Sequence, residues 1–348
     1  MAVSCENGRI PNFWECGAVC FVIKVLGAQV SQSAPSFVGE QCMKTFENKV
    51  AVITGAGSGM GKYLAINLAK AGSSVAICDV NKDTLKETED ILRNYNIPSS
   101  SYVLDVSDKE EINFLAEKVI EKYGRVDLVF NNAGVAAPSS FVEMSEKDWN
   151  WCNDINYNAV INSSRAFLPH LLKNEESALI NTSSIFGIIT TPNNTVYHAS
   201  KFAVRGFTES LMKEMHDTSV QVHCVYPGHI GTNIVSNARF NKEGEGILGI
   251  DGKEAKDREG NLLTASQIGE TFREGGMDPD HAAKIILRGV KKDKKRIFVG
   301  LDAKLMEIAQ RIAPQHYLKI IPIIFFLTLP FYIKRIMRAN KVRKKFKR

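Results

Sequence analysis

The sequence lacks the residue patterns of common metal-dependent and serine hydrolases. None of its seven histidines lies at H-x-x-x-H or H-E-x-x-H spacing, and no serine lies in a G-x-S-x-G motif. These absences argue against a helical zinc site and a nucleophile elbow, so we expect no metal. The seven cysteines are an odd number at scattered positions, which excludes a fully paired disulfide framework and favours a reducing, cytoplasmic location.

An excess of positive charge is found only at the carboxyl terminus. The chain has 44 Lys and Arg against 38 Asp and Glu, but nine of the basic residues lie within residues 334–348, which contain no acid. The rest of the chain therefore has 35 basic residues against all 38 acidic ones. This mildly acidic balance gives no electrostatic support for nucleic-acid binding, and no nucleic-acid partner is expected.

The first 42 residues lack the rhythm of strands and turns that begins near Lys49. Residues 17–30 are apolar, but Lys24 interrupts them and they are short for a bilayer span. A basic leading segment and a small-residue cleavage site, as in a secretory signal, are also absent. We predict a disordered or loosely packed extension at 1–42, with a membrane-associating or targeting segment as the alternative. Met43 could equally be an alternative start.

From Lys49 onward, short β-branched runs alternate with longer amphipathic stretches. The runs predict buried strands at residues 50–54, 74–79, 101–104, 126–131, 178–182, 220–225 and 296–299. Helical spacing of apolar residues fills the gaps, as in 108–123. This alternation is typical of a doubly wound parallel α/β sheet, whose ligand crevice lies at the carboxyl ends of the strands. We predict one domain over residues 43–312, with a polar, glycine-rich lid at about 233–276.

A glycine-rich turn joins the first strand to the first helix. Residues 54–61 read TGAGSGMG, a G-x-x-x-G-x-G pattern at Gly55, Gly59 and Gly61. Such glycines let the backbone approach a pyrophosphate, which the amino terminus of the following helix would bind. On its own, the pattern fits an ordinary tight turn equally well.

An acidic residue ends the second strand. Asp79 lies 18 residues beyond Gly61, where a carboxylate can accept both ribose hydroxyls of an adenosine and repel a 2′-phosphate. Alone, it could equally be a solvent-exposed acid or the N-cap of the next helix. Together with the glycines it predicts NAD rather than NADP, although Lys62 and Lys82 are near enough to reach a phosphate.

The glycine motif resembles that of the short-chain dehydrogenase/reductase family, and further stretches match the family in order. They are NNAG at residues 131–134, Asn156, Ser184, YHASK at residues 197–201, and Pro227-Gly228 followed by Thr232. The resemblance covers residues 43–312. It implies a Rossmann fold and an oxidoreductase.

The resemblance also implies a catalytic tetrad and a cofactor-binding set. The tetrad is Asn156, Ser184, Tyr197 and Lys201. The cofactor-binding residues are Gly55, Ser58, Gly59, Met60, Gly61, Asp79, Asp105, Val106, Asn132, Ala133, Gly134, Tyr197, Lys201, Pro227, Gly228, Ile230 and Thr232. By resemblance, Tyr197 is the acid/base and Lys201 also holds the nicotinamide ribose. Ser184 hydrogen-bonds the substrate oxygen, Asn156 supports a proton-relaying water, and Asp105-Val106 receives the adenine ring.

The chemistry of hydride transfer explains the Tyr-x-x-x-Lys pair. Moving a hydride between a carbinol carbon and nicotinamide requires a proton to leave or join the oxygen. A phenol with a pKa near 10 is a poor base at neutral pH unless a positive charge favours its anion. Lys201, one helical turn from Tyr197, can supply that charge. Chance alone would produce about one such pair in a chain of this composition, so Ser184 just upstream gives the pair its weight.

We therefore predict an oxidoreductase that transfers a hydride between NAD and a secondary alcohol or ketone. A hydrophobic substrate of lipid, steroid or retinoid type is expected, as is a homodimer or homotetramer. The alternative from another class is a dinucleotide-sensing binding protein without turnover. A membrane-tethering adaptor is a weaker third interpretation.

The carboxyl terminus carries an apolar run followed at once by the nine basic residues. Residues 317–333 read YLKIIPIIFFLTLPFYI, and two prolines make this run a poor helix for about 30 Å of hydrocarbon. We predict that residues 313–348 form an interfacial anchor whose basic tail binds anionic lipid, so that a cytoplasmic protein is peripheral to a membrane. The alternative is a core or subunit-interface segment. Every cofactor and catalytic motif lies upstream of Ala313.

Overall fold

A seven-stranded parallel sheet forms the centre of the computed structural model, which describes residues 43–240, 264–320 and 323. The strands are β1 (Val50–Thr54), β2 (Ser74–Asp79), β3 (Ser99–Val103), β4 (Leu128–Asn131), β5 (Ser177–Thr182), β6 (Val220–Pro227) and β7 (Arg296–Val299). Their order across the sheet is 3-2-1-4-5-6-7, so the chain reverses its direction of winding between β1 and β4. The predicted doubly wound Rossmann fold is confirmed. The predicted extension at residues 1–42 lies outside the described residues.

Helices alternate with the strands along the chain. They are α1 (Gly59–Lys70), α2 (Lys82–Leu92), α3 (Lys109–Tyr123), α4 (Glu146–Asn153), α5 (Ala159–Leu171), α6 (Thr195–Glu214), α7 (Ala265–Gly275), α8 (Pro279–Lys291) and α9 (Leu301–Ile312). A π-helical turn (Asp154–Asn158) joins α4 to α5, and a 3₁₀ turn (Ile185–Gly187) follows β5.

Both faces of the sheet are buried, as continuous apolar strands require. In β2, Val75 and Ile77 pack in one core with α1, α2 and α8. Ala76 and Cys78 point the opposite way, into a second core with α3, α5 and α6. Successive side chains of a strand alternate between its faces, so a strand covered on both sides needs apolar residues at every position.

Several strand boundaries differ from the sequence prediction by one or two residues, and in two strands the reason is a contact that is not local. The edge strand β3 begins two residues earlier, at Ser99, because its serines pair with the backbone of β2 without contributing apolar side chains. The strand β6 runs on to Pro227, where pairing with β7 continues to Val299.

The stretch of about 233–276, whose role as a lid stays a prediction, is not entirely loop. It contains the helix α7, which starts with a capping box in which Thr264 and Gln267 satisfy each other's backbone N–H groups. The T-x-x-Q spacing is a known helix-start signal, and the polar composition around it concealed it. Residues 241–263 lie outside the described residues.

Among the residues that the structure describes, no helix has both the length and the apolar character needed to cross a bilayer.

Candidate functional site

The glycine turn between β1 and α1 brings two stretches of backbone unusually close. Gly55 and Gly59 have positive φ angles of 64° and 52°, a region that favours glycine. A Cβ on Gly61 would lie 2.1 Å from the Gly55 carbonyl oxygen, so no side chain fits there. Ser58, the N-cap of α1, makes no side-chain capping bond, which leaves the first N–H groups of the helix available. The turn and the helix end therefore form a cradle suited to an anion.

The carboxylate of Asp79 lies beside this cradle, at the end of β2. One of its oxygens accepts a hydrogen bond from the Gly57 N–H and the other accepts one from the Asn81 N–H, both at 2.9 Å. These bonds fix the carboxylate's orientation and leave each oxygen a further lone pair for a ligand hydroxyl. The nearby Lys62 ammonium is paired with Glu87 at 3.3 Å.

The loop after β4 is held against the glycine turn by a residue that sequence reasoning did not single out. The hydroxyl of Thr54 accepts hydrogen bonds from the Asn132 and Ala133 N–H groups, each at 3.0 Å. The Asn132 amide also donates to the Thr54 carbonyl, whereas its own Oδ1 is buried without a hydrogen-bond partner. Such a buried acceptor is expected where a ligand would supply the missing donor.

Three other predicted cofactor residues lie around this region. Asp105, after β3, accepts hydrogen bonds from the N–H and hydroxyl of Ser107 at 2.9 and 2.7 Å. Val106 is buried in the core that includes α3, and Met60 packs at the edge of the opposite core. The glycine cradle, the oriented carboxylate and the unpartnered Asn132 oxygen together fit a dinucleotide.

Ser184, which follows β5, comes together with Tyr197 and Lys201 on α6. The Ser184 hydroxyl lies close enough to the Tyr197 phenol for a hydrogen bond, which lowers the pKa of the phenol. The Lys201 ammonium lies 5.7 Å from the centre of the Tyr197 ring and donates to the Thr182 carbonyl at 3.1 Å. The structure thus places a hydroxyl, a phenol and an ammonium at the same carboxyl edge of the sheet as the glycine turn.

Burial shifts both titratable groups of this cluster towards their neutral forms. The Tyr197 ring is partly exposed, but burial of its phenol raises the pKa to about 12, against which the Ser184 hydrogen bond acts. Burial lowers the pKa of Lys201 to about 8. At neutral pH the phenol therefore keeps its proton and the ammonium keeps most of its charge.

Asn156 is buried in the π-helical turn. Its Oδ1 accepts a hydrogen bond from the Val135 N–H at 2.9 Å, and its Nδ2 donates to the Val135 carbonyl at 3.0 Å and to Ser200 Oγ at 3.2 Å. A Cβ on Gly134 would come within 3.2 Å of Asn156 Oδ1 and 3.3 Å of Lys201 Nζ. Asn156 therefore joins the β4 loop to α6, and its predicted role towards a water stays a prediction.

The loop after β6 is fixed by a buried carboxylate that the sequence reading missed. Asp302, only 1% exposed, accepts a hydrogen bond from the His229 N–H at 2.6 Å. A Cβ on Gly228 would lie 2.3 Å from the same oxygen, so glycine is needed at this contact. No local pattern predicts this pair, because 73 residues separate its members.

The same loop crosses to the glycine turn. Pro227 ends β6, and Ile230 is buried and bridges to Met277. A Cβ on Gly59 would meet Thr232 Cγ2 at 3.0 Å, which shows that Thr232 lies directly beside the cradle. The predicted site residues therefore cluster around one edge of the sheet, although they come from six different connections.

Three cysteines lie among the residues that the structure describes, and none of them is in a disulfide. Cys78, Cys152 and Cys224 are unpaired and buried, and burial raises the pKa of each thiol. In the part of the chain that the structure describes, no three or more His, Cys, Asp or Glu side chains are grouped so that they could hold a metal ion.

Comparison with known proteins finds a matching family and proteins of similar sequence. The family model described as short chain dehydrogenase matches residues 49–243. The oxidoreductase SadH of Mycobacterium tuberculosis is 36% identical over 283 residues, which cover 80% of this chain and 96% of SadH. Estradiol 17-beta-dehydrogenase 11 of Mus musculus is 27% identical over 281 residues, which cover 80% of this chain and 84% of that protein.

A solved structure from the same family has the same fold. A short-chain dehydrogenase/reductase from Burkholderia phymatum in complex with NAD superposes with a TM-score of 0.68 at 29% identity, covering 78% of this chain and 96% of its own. Other solved chains of the same fold hold NADP.

Proposed function

Because the chain belongs to the short-chain dehydrogenase/reductase family of oxidoreductases, which use NAD(P), we propose that it interconverts a secondary alcohol and a ketone with NAD. The observation that carries this proposal is the cluster of Ser184, Tyr197 and Lys201 beside the glycine turn. A hydroxyl, a phenol and an ammonium at one point can orient a substrate oxygen and move its proton.

When bound, the nicotinamide ring supplies the hydride donor or acceptor. Ser184 Oγ donates a hydrogen bond to the substrate oxygen and fixes its distance from the Tyr197 phenol. In ketone reduction, Tyr197 Oη gives its proton to that oxygen, and in alcohol oxidation the Tyr197 phenolate takes the proton away. Lys201 stabilises the phenolate electrostatically.

The pKa shifts give the two directions opposite pH dependence. Reduction needs the protonated phenol, which burial favours because it raises the pKa of Tyr197 to about 12. Oxidation needs the phenolate, so its rate should rise with pH. Burial lowers the pKa of Lys201 to about 8, and the ammonium's support for the phenolate therefore declines as the pH rises through that value.

The oriented carboxylate of Asp79 supports NAD over NADP. Its two oxygens are held by backbone N–H groups, so the carboxylate cannot turn away from a ligand bound in the cradle. A 2′-phosphate there would meet a fixed negative charge. Lys62, the nearest basic residue of α1, is already paired with Glu87.

A hydrophobic substrate is supported by apolar side chains near α6. Phe141 and Val142 are 66% and 94% exposed and follow the β4 loop. The Ser139 N–H donates to the Asn193 carbonyl at 2.9 Å, so this segment adjoins the start of the helix that carries Tyr197. Estradiol, for which the mouse relative is named, is a steroid alcohol of this chemical type.

A substrate panel tests the proposed function. Purified protein is incubated with NAD and secondary alcohols of increasing apolar size, and in parallel with reduced NAD and the matching ketones, while the reduced cofactor is followed by its absorbance. We expect turnover that improves with apolar size. Tight cofactor binding without turnover of any alcohol or ketone would instead favour the dinucleotide-sensing protein.

Membrane association is supported by the outer face of α9. Leu301, Ile308 and Ile312 lie at helical spacing on one face and are all exposed, with Ile312 77% exposed. Further along the chain, Leu318 and Ile323 are exposed too. An apolar face followed by nine basic residues suits the interface of an anionic membrane. We also place the protein in the cytoplasm, in keeping with its unpaired cysteines.

Vesicle sedimentation tests this part of the proposal. Full-length protein should sediment with vesicles of phosphatidylserine and phosphatidylcholine and be only partly released by high salt, because salt screens the basic residues but not the apolar face. Ile308→Glu with Ile312→Glu should weaken sedimentation at every salt concentration. If full-length protein stays in the supernatant at low salt, the anchor is wrong. If the double variant instead dissociates a dimer or tetramer, the face is a subunit interface.

A further inference from the structure

A tyrosine beyond α9 is hydrogen-bonded to a loop that lies beside the Ser184–Tyr197 pair. The hydroxyl of Tyr317 accepts a hydrogen bond from the Thr190 N–H at 3.0 Å and shares another with Thr190 Oγ1 at 2.8 Å. The two residues are 127 positions apart. The Tyr317 ring is partly buried against the apolar cluster of Ile185, Ile188 and Ile189. The segment after α9 is therefore attached to the loop of residues 185–191 by both polar and apolar contacts.

The next residue of that loop is bound by a buried histidine. The Thr191 N–H donates to His198 Nε2 at 3.0 Å, so Nε2 is the acceptor nitrogen and Nδ1 carries the proton. His198 Nδ1 accordingly donates to the Phe186 carbonyl at 3.1 Å. Burial lowers the pKa of His198, which keeps the ring neutral and this hydrogen-bond pattern intact. His198 thus ties the two ends of the loop together.

The other end of the loop reaches the proposed reaction centre directly. The Phe186 N–H donates to Ser184 Oγ at 3.1 Å. The Phe186 ring packs edge-to-face against the Tyr197 ring, with 6.2 Å between centroids, and against His198, with 4.9 Å. A shift of this loop would therefore move the Ser184 hydroxyl and the packing of the Tyr197 ring together.

From this continuous set of contacts we infer that Tyr317 is a positioning residue for the reaction at Tyr197. Its hydroxyl fixes Thr190, the adjacent Thr191 and His198 fix Phe186, and Phe186 aligns the Ser184 hydroxyl with the phenol. This inference rests on the proposed function. It makes the segment after α9, which lies outside the family match at residues 49–243, part of the catalytic unit.

Loosening the loop of residues 185–191 should also change the pH dependence of the reaction. The Ser184 hydrogen bond lowers the pKa of Tyr197, against the effect of burial. The other titratable groups that face the phenol are Lys201, on the same helix, and Cys152, on α4. Within the part of the chain that the structure describes, neither side chain hydrogen-bonds the loop of residues 185–191, so loosening the loop should act through Ser184. The pKa of Tyr197 should then rise, and the pH at which alcohol oxidation accelerates should rise with it.

Tyr317→Phe tests the inference because it removes one oxygen and keeps the ring. We expect kcat to fall about 5- to 10-fold, the rate equivalent of one ordinary hydrogen bond, with NADH affinity unchanged within about twofold. The pH profile of oxidation should move to higher pH. Leu318→Ala is the matched control, since Leu318 is the exposed neighbour, and it should leave both quantities as in the wild type. Thr190→Val removes one of the two hydrogen bonds and should reproduce part of the defect, and the double variant should be no worse than Tyr317→Phe alone.

Hydrogen exchange gives a second measurement that does not depend on turnover. The Thr190 and Thr191 amides should exchange faster in Tyr317→Phe and stay protected in Leu318→Ala. If Tyr317→Phe keeps wild-type kcat and pH profile, or if these amides stay protected, the inference is overturned. If the wild type turns over no alcohol or ketone, the proposed function fails, and amide protection still decides whether Tyr317 fixes the loop.

Discussion

The two halves of the candidate site are built by opposite means. The glycine-turn half, residues 54–61 with the loop after β4, depends on backbone geometry: positive φ angles and contacts so close that one added carbon would clash. The Tyr197 half, formed by β5 and α6, depends on a few polar atoms of buried side chains. Adding an atom should therefore impair the glycine-turn half, and removing a polar atom should impair the Tyr197 half.

The two halves of the site should therefore contribute to different steps, cofactor binding and proton transfer. A cradle of N–H groups can hold an anion without any particular side chain, whereas proton transfer needs a group that ionises at the right place. Changes in the glycine-turn half should therefore act mainly on cofactor affinity. Changes in the Tyr197 half should act mainly on kcat.

The largest expected effect comes from removing the phenol oxygen. Tyr197→Phe keeps the ring but loses the group that carries the proton, so kcat should fall about 10²- to 10⁴-fold while NADH affinity stays near that of the wild type. Steady-state kinetics and a fluorescence titration with NADH measure the two quantities. The control is Tyr123→Phe, which removes a hydroxyl bonded to Ser100 at the far end of α3. A Tyr197→Phe enzyme with more than about a tenth of wild-type kcat would exclude the acid/base role.

The second effect comes from adding an atom to the cradle. In Gly61→Ala the new Cβ would lie 2.1 Å from the Gly55 carbonyl oxygen, so the turn must open. We expect the dissociation constant of NADH to rise by at least about tenfold, with a smaller change in kcat at saturating cofactor. Unchanged NADH affinity would mean that the cofactor does not use this turn.

A third, more moderate effect concerns cofactor choice. Asp79→Asn removes the fixed negative charge but keeps the side-chain shape, so the ratio of kcat/KM for NAD to that for NADP should fall about tenfold. Asp83→Asn, an exposed change in the first turn of α2, is the control and should leave the ratio alone. A wild-type enzyme that already prefers NADP would contradict the assignment of Asp79.

The smallest effect is expected from a glycine outside the cradle. Gly206 lies inside α6, and a Cβ there would meet nothing within 4 Å. Gly206→Ala should therefore stabilise the protein by up to about 1 kcal/mol through helix propensity, without a change in kinetics. Thermal unfolding measures this gain. Loss of NADH affinity in this variant would show that glycine replacement is damaging everywhere, and would remove the contrast with Gly61.

The parts of the site that could be predicted are those encoded in short stretches of sequence. The glycine turn, Asp79 and the Tyr197–Lys201 pair each depend on a strand end or on one helical turn, so spacing along the chain nearly determines their spacing in the fold. The doubly wound parallel sheet could be predicted from the alternation of strands and helices for the same reason, whereas its strand order is known from the structure.

The supporting residues could not be predicted because their partners are distant in sequence. Asp302 holds the backbone of His229 and Tyr317 holds Thr190, pairs separated by 73 and 127 residues. Nothing near Asp302 or Tyr317 in the sequence indicates which loop will reach them. Every cofactor and catalytic motif recognised in the sequence lies upstream of Ala313, whereas the positioning residue that we propose, Tyr317, lies downstream of it.

The central claim is that this edge of the sheet transfers a hydride and that Tyr197 moves the accompanying proton. Its most direct test uses an alcohol active in the substrate panel, with deuterium on the carbinol carbon, together with NAD and either the wild type or Tyr197→Phe. Mass spectrometry of the reduced cofactor should show deuterium with the wild type and almost none with the variant. Reduced cofactor without deuterium, or equal labelling by both proteins, would contradict the account.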